Sequence, residues 1–328
     1  MSSSSSKVYL ITGSNIGLGY DAARQLATKS YTRKVYLACR TESKALKAID
    51  ELVQKYDIPA SKLAFVPFDA SADRNTIAAA IVGALPRSET LDGVILNAGG
   101  IGSDSQNKPM GPNHVTQQMQ INLIGHIHLV DALQKNGFLQ ANKTTIVFSG
   151  SEAARGVPLM AMAAPQIPKN TEDVKKLIDG TSAKKMDSME YYAYVKGVSA
   201  LYWSEWARRH PEYYVLTVSP GATAGTNIAS HEGMGKFNQI MFPILLKMMG
   251  PLGVTHKLEV GAKRYVDAVN REGIYHEFET GAFVASAHGV SGPVKDQSKR
   301  KDKRAAQYGD LIKQEAAFAA VQAFAITA

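Results

Sequence analysis

The sequence predicts an α/β fold, a doubly wound parallel sheet within one domain. Three observations predict it. Short, evenly apolar strand segments alternate with helical stretches, a glycine-rich turn joins the first strand to the first helix, and no linker rich in Pro, Gly or Ser divides the chain. Strands that are apolar at every position are covered on both faces. Right-handed crossovers between them then place ligands at their carboxyl ends.

The elements follow in order. Residues 8–11 form the first strand and 18–28 the first helix; strand 35–39 precedes a charged helix at 43–55. Strand 64–68 leads to a helix at 73–84, strand 93–96 to a long helix at 112–135, and strands 145–148 and 214–217 complete the series. A further helix, carrying Tyr192, lies between the last two. Two segments depart from this alternation. Residues 157–188 contain Pro158, Pro165 and Pro168 without clear structure, and they read as an active-site insertion before the Tyr192 helix. Residues 222–256 carry Phe237, Ile240, Met241, Ile244, Leu245, Met248 and Met249 at helical spacing, with Phe242 and Leu246 on other faces. This C-terminal helical stretch, apolar nearly all round, reads as a lid over a bulky hydrophobic substrate, as a dimer interface or as core packing.

Composition narrows the class. Of 328 residues 45% are hydrophobic and 20% charged, an ordinary globular balance. The single cysteine, Cys39, excludes an intrachain disulfide. No run approaches the ~18 apolar residues of a membrane span. Residues 1–6 read as a disordered lead, not a signal peptide. The expectation is a soluble, cytoplasmic protein. Net charge is +8, and residues 295–304 hold six basic and two acidic side chains. That stretch reads as a solvated loop or as a contact for phosphate, nucleic acid or an anionic membrane, without any nucleic-acid motif in support.

The turn at 12–19, Thr-Gly-Ser-Asn-Ile-Gly-Leu-Gly, follows the first strand and opens the first helix. In that position glycines let backbone approach a pyrophosphate, and the helix N-terminus offers N–H groups. Gly13, Ser14, Asn15, Ile16 and Gly17 would line the phosphates, and Gly19 would let helix and strand pack closely. An acid for a ribose 2′-hydroxyl is missing after the second strand, where Arg40 stands instead. A guanidinium there pairs with a 2′-phosphate, which selects NADP(H), although Arg40 also fits a plain surface position. Asp69 and Ala70 after the third strand suit the adenine, and Asn97, Ala98 and Gly99 after the fourth suit its ribose.

Tyr192 and Lys196 lie one helical turn apart and share a face. An ammonium beside a phenol is expected to lower its pKa from roughly 10, readying it for proton exchange with an alcohol oxygen. Tyr191 and Tyr194 fall on other faces. His126 and His128 are two apart on a helix and form no metal site.

In their order, the 12–19 turn, Asn97-Ala-Gly99, Asn122, Ser151, Tyr192-x-x-x-Lys196 and Pro220-Gly221 resemble the short-chain dehydrogenase/reductase family over residues 7–290. The resemblance implies a Rossmann fold and carbonyl–alcohol exchange. It also implies Tyr192 as proton donor, Lys196 on the nicotinamide ribose, Ser151 on the substrate oxygen, Asn122 ordering a proton-relay water, and Pro220, Gly221 and Thr223 at the cofactor. Ser149 is then structural. The family further implies a homo-oligomer, a dimer or tetramer. Ser151 and Tyr192 are 41 positions apart, a long connection. With Ala-Cys-Arg40, the 220–226 segment, the 237–249 helix and strand 281–284, this connection is similar to the protochlorophyllide reductase branch and neighbouring retinol or steroid reductases. The light-dependent enzymes carry a cysteine where this chain has Val198, so carbonyl reduction is expected ahead of reduction of a conjugated double bond; a non-catalytic NADP(H)-binding module is a further alternative. Residues 291–328 read as the basic loop and a C-terminal helix docked on the domain, with peripheral membrane contact through that loop left open.

Overall fold

A computed structural model describes residues 6–101, 109–110, 114–158, 162–224, 255–302 and 304–326. The strands are β1 (Lys7–Thr12), β2 (Thr32–Cys39), β3 (Leu63–Pro67), β4 (Gly93–Leu96), β5 (Pro109–Met110), β6 (Val115–Thr116), β7 (Thr145–Ser149), β8 (Tyr214–Val218), β9 (Phe283–Ser286) and β10 (Val294–Asp296). Eight of them form one sheet in the order β10-β9-β8-β7-β4-β1-β2-β3, and β5 with β6 makes a separate ribbon. The large sheet is parallel throughout except for β10, which runs antiparallel along β9.

Among the described residues, the helices of eight or more residues that flank it are α1 (Gly17–Ala27), α2 (Glu42–Tyr56), α3 (Arg74–Ala84), α4 (Gly125–Lys135), α5 (Thr171–Ile178), α6 (Ser188–Arg209), α7 (Leu258–Asn270) and α8 (Leu311–Ala325). Side chains of α1, α2 and α7 fill the core on one face of the sheet. Those of α3, α4 and α6 fill the other, where α5 and α8 add an outer layer against α6. Strand residues such as Leu10, Val94 and Ile146 are fully buried; each such side chain contributes about 1.5–3 kcal/mol by leaving water. Among the described residues no helix is long and apolar enough to cross a membrane.

The helix starts are chemically explicit. Asp73 accepts from Thr76 N at 2.8 Å to cap α3, and Asp187 accepts from Glu190 N at 2.7 Å to cap α6. Several expectations shift. The helix expected over 112–135 begins at Gln117, capped by Thr116 Oγ1, because Val115 and Thr116 pair with β5 instead. It then widens into a π-helical turn, Gln120–Ile124, before α4. The 157–188 stretch is not structureless: Asn170 accepts from Asp173 N at 2.8 Å and starts α5 inside it. The basic 295–304 stretch is not wholly a loop, since Lys295 lies in β10. The last helix, α8, packs along α6. The 237–249 helix and residues 1–5 of the expected lead lie outside the described residues.

Candidate active site

Six strands deliver the selected residues at their carboxyl ends: Gly13 after β1, Arg40 after β2, Asp69 after β3, Asn97 after β4, Ser151 after β7 and Pro220 after β8. β1 and β4 are neighbours, yet the chain leaves β1 toward β2 and returns from β3, so the crevice opens at the switch point.

The glycine turn is built around the segment after β4. Gly13 has φ +63°, and a Cβ there would lie 2.9 Å from Ala98 Cα. A Cβ on Gly19 would lie 2.5 Å from Asn97 Nδ2. That amide donates to Thr12 O at 3.0 Å and Gly13 O at 3.2 Å, while Thr12 Oγ1 accepts from Asn97 N at 2.8 Å and Ala98 N at 2.9 Å. The two loops are therefore one rigid unit. Ser14 Oγ donates to Ile11 O at 2.8 Å, and Ile16 stands exposed at the lip. No side chain caps the first turn of α1. Arg40 is exposed and holds no hydrogen bond or ion pair among the described residues. Asp69 Oδ1 accepts from Ser71 N at 2.9 Å and Ser71 Oγ at 2.7 Å, and Ala70 O accepts from Gln120 Nε2 at 3.1 Å.

On the other side of the crevice α6 places Tyr192 and Lys196 together, both buried. The Ser151 side chain lies close enough to the Tyr192 phenol to lower its pKa. Lys196 Nζ donates to Ser149 O at 2.9 Å and lies over the Tyr192 ring, 5.5 Å from its centroid. Ser149 Oγ meets Tyr265 OH at 2.7 Å. Tyr191 is tied to Thr116 Oγ1 at 2.8 Å and Leu177 O at 2.5 Å, and Tyr194 lines a separate cavity of about 270 Å³ with Gln166 and Met186. Asn122 sits in the π turn, with Oδ1 accepting from Gly100 N at 3.1 Å and Nδ2 donating to Gly100 O and Gln118 O at 2.9 Å each. Thr223 is buried beyond Pro220, its hydroxyl donating toward Pro220 O at 3.3 Å and Gly221 O at 3.2 Å.

One electrostatic expectation is corrected. Burial pushes the Tyr192 phenol up, and the Ser151 contact only partly offsets this. Burial also pushes the Lys196 ammonium down, to about 7. Desolvation thus governs both groups: among the described residues the ammonium has no carboxylate partner, and it lies over a ring face.

Three features of the site were not assigned to it from sequence, His126 having been weighed only as a metal ligand. Ile101, Met162 and Met189 pack with Ala153, Ala193 and Tyr192 as a small apolar cluster. His126 is buried beside Thr12, with Nε2 3.1 Å from its Oγ1. Glu152, next to Ser151, is buried against Arg155, Ser219 and Ser286. No spacing rule marks any of these; the π turn that sets Asn122 and His126 has no sequence signature either.

The fold is a doubly wound α/β sheet that gathers these side chains at the carboxyl ends of its strands. A short chain dehydrogenase family model matches residues 7–164. A short chain dehydrogenase/reductase of Colletotrichum higginsianum is 37% identical over 147 residues, 44% of this chain and 34% of that protein. A WW domain-containing oxidoreductase of Drosophila melanogaster is 26% identical over 241 residues, 72% of this chain and 53% of that one. The chain's match to the Colletotrichum relative thus spans about a third of that protein's length. Salutaridine reductase from Papaver somniferum superposes with TM-score 0.59 over 84% of this chain and 99% of its own, at 16% identity, which speaks for the fold. Over residues 7–164 the chain is thus similar to short chain dehydrogenases.

Proposed function

We propose that the protein is an NADPH-dependent oxidoreductase that reduces a carbonyl of a hydrophobic substrate, with Tyr192 as proton donor. One observation carries the reading: a buried tyrosine near Ser151 lies one turn from a buried lysine whose pKa burial lowers to about 7, in a fold whose glycine turn leaves room for close approach. A carbonyl oxygen that gains negative charge needs a hydrogen-bond donor and a proton, and Ser151 and Tyr192 offer both.

The residues fit the cofactor. Gly13 has no room for a side chain, the first turn of α1 has no side-chain cap, and Arg40 at the end of β2 is an exposed guanidinium with no partner among the described residues. Gly13 to Gly17 would hold the pyrophosphate, Arg40 the 2′-phosphate, and Lys196 with Thr223 the nicotinamide end. NADPH, when bound, supplies the hydride. The apolar cluster of Ile101, Met162 and Met189 around Tyr192 supports an apolar flank on the substrate carbonyl. Val198 is fully buried in the core, which leaves no reactive group at the position where light-dependent relatives carry a thiol.

The test is a panel of hydrophobic aldehydes and ketones with NADPH and NADH side by side. Tyr192→Phe is expected to keep NADPH binding and lose turnover by roughly 10²–10⁴-fold; undiminished turnover would remove the mechanism. Arg40→Ala is expected to erode the preference for NADPH over NADH by roughly 10–100-fold, the worth of a charge-assisted bond. An unchanged ratio would remove Arg40 from the 2′-phosphate.

A further inference from the structure

We propose that His126 is a positioning residue of this site, locked in the Nδ1–H tautomer, that joins the cofactor-binding turn to the main-chain carbonyl of Asn122; this rests on the functional reading above.

The tautomer follows from counting donors and acceptors. A threonine hydroxyl has one hydrogen and two lone pairs. At Thr12 Oγ1 both lone pairs are taken by the amides of Asn97 and Ala98, at 2.8 Å and 2.9 Å. Its hydrogen has two candidate acceptors, Ile95 O at the outer limit of 3.5 Å and His126 Nε2 at 3.1 Å. An Nε2–H would be a third donor with no lone pair to meet. Nε2 is therefore the acceptor and Nδ1 carries the proton, facing Asn122 O at 3.4 Å. A second proton is disfavoured, because burial and the nearby Lys196 charge push this imidazole down to about 3.

The ring is held in place. It is fully buried, stacks on Phe68 at 5.7 Å between centroids and meets Phe148 edge-on at 5.9 Å. The Asn122 side chain is committed to Gly100 and Gln118, so its carbonyl is the remaining polar group of that residue for the ring to aim. That carbonyl lies in a π turn, where Gly125 N reaches back to Gln120 O and the regular ladder is broken. The chain of contacts runs from the amides of Asn97 and Ala98 through Thr12 and His126 to Asn122. It keeps the nucleotide turn and the π turn in one register.

Two experiments test this. In protein carrying 15N-labelled histidine, the imidazole nitrogens of His126 should report a protonated Nδ1 and an unprotonated Nε2 without titration from about pH 5 to 9. The opposite tautomer, or titration in that range, overturns the proposal. This readout needs no substrate, so it stands apart from any failure of the carbonyl panel. In the second, His126→Leu keeps apolar bulk without the bonds, while His126→Asn offers an amide N–H where Nδ1 was. Leu is expected to lower kcat about tenfold with nucleotide Kd little changed, and Asn to recover much of it, the worth of one buried hydrogen bond. Melting temperatures should rank the other way, with Leu above Asn. Turnover that simply follows melting temperature would mean a role in packing alone and would overturn the proposal.

Discussion

Two buried charges lie close to Ser151, and the protein treats them in opposite ways. Glu152 is fully answered. Its carboxylate accepts from Arg155 Nε at 2.7 Å, Ser219 Oγ at 3.1 Å, and Ser286 N and Oγ at 3.0 Å and 2.8 Å, with Arg264 Nη1 at 3.8 Å. Arg264 in turn donates to Ser219 O and Gly292 O. Lys196 has neutral company: a carbonyl at 2.9 Å and the rings of Phe148 and Tyr192 at 5.1 Å and 5.5 Å. A charge met on all sides fixes geometry, here tying the Ser151 loop to β8, β9 and α7. A charge met by none stays close to its protonation boundary, which is where proton transfer needs it.

Breaking the paired cluster should have the largest effect. Glu152→Ala leaves two buried arginines without their carboxylate, and the expected cost is about 3–5 kcal/mol by denaturant titration. A loss under 1 kcal/mol would show that the cluster does not organise the loop. Lys196→Met sharpens the other half of the comparison through pH. The ammonium is held near about 7 in the folded chain against its ordinary 10.5, so between those values the unfolded chain binds more protons. Stability of the wild type should therefore rise with pH across that window. The variant lacks this slope, so its advantage over wild type should be greatest below pH 7 and fade toward pH 10. Parallel stability curves from pH 6 to 10 would contradict the burial argument. Ser219→Ala removes one of several donors to Glu152 and one acceptor for Gly221 N, for an expected cost of about 1.5 kcal/mol. A cost equal to that of Glu152→Ala would mean that the serine, not the ion pairs, holds the cluster.

Sequence patterning reveals the layered sheet because strands such as 93–96 are apolar throughout and the helices between them repeat every three to four residues. It also reveals the pieces of the site that lie in local motifs: the Gly13–Gly19 turn, and Tyr192 four residues before Lys196. The Glu152 cluster is hidden because, Arg155 apart, its partners are distant in sequence, with the serines 67 and 134 positions away. The Tyr192 pKa went the wrong way because sequence shows the neighbouring lysine but not the depth of burial. α5 was missed although Asn170 three residues before Asp173 is a helix-start signal; the surrounding prolines masked it. β10 was missed because its edge position suits a charged residue such as Lys295, which reads as loop.

The chain on either side of residues 225–254 is joined to itself. Ala224 N donates to His256 O at 3.0 Å, and His256 N donates to Ala222 O at 2.9 Å. Ala222 N is further held by Val290 O at 2.6 Å. Exit and re-entry thus share one latch, outside the sheet's own ladder. The segment after β8 is thereby fixed to the segment before α7 by main-chain bonds, so side-chain substitutions at Ala222, Ala224 or His256 leave those bonds available.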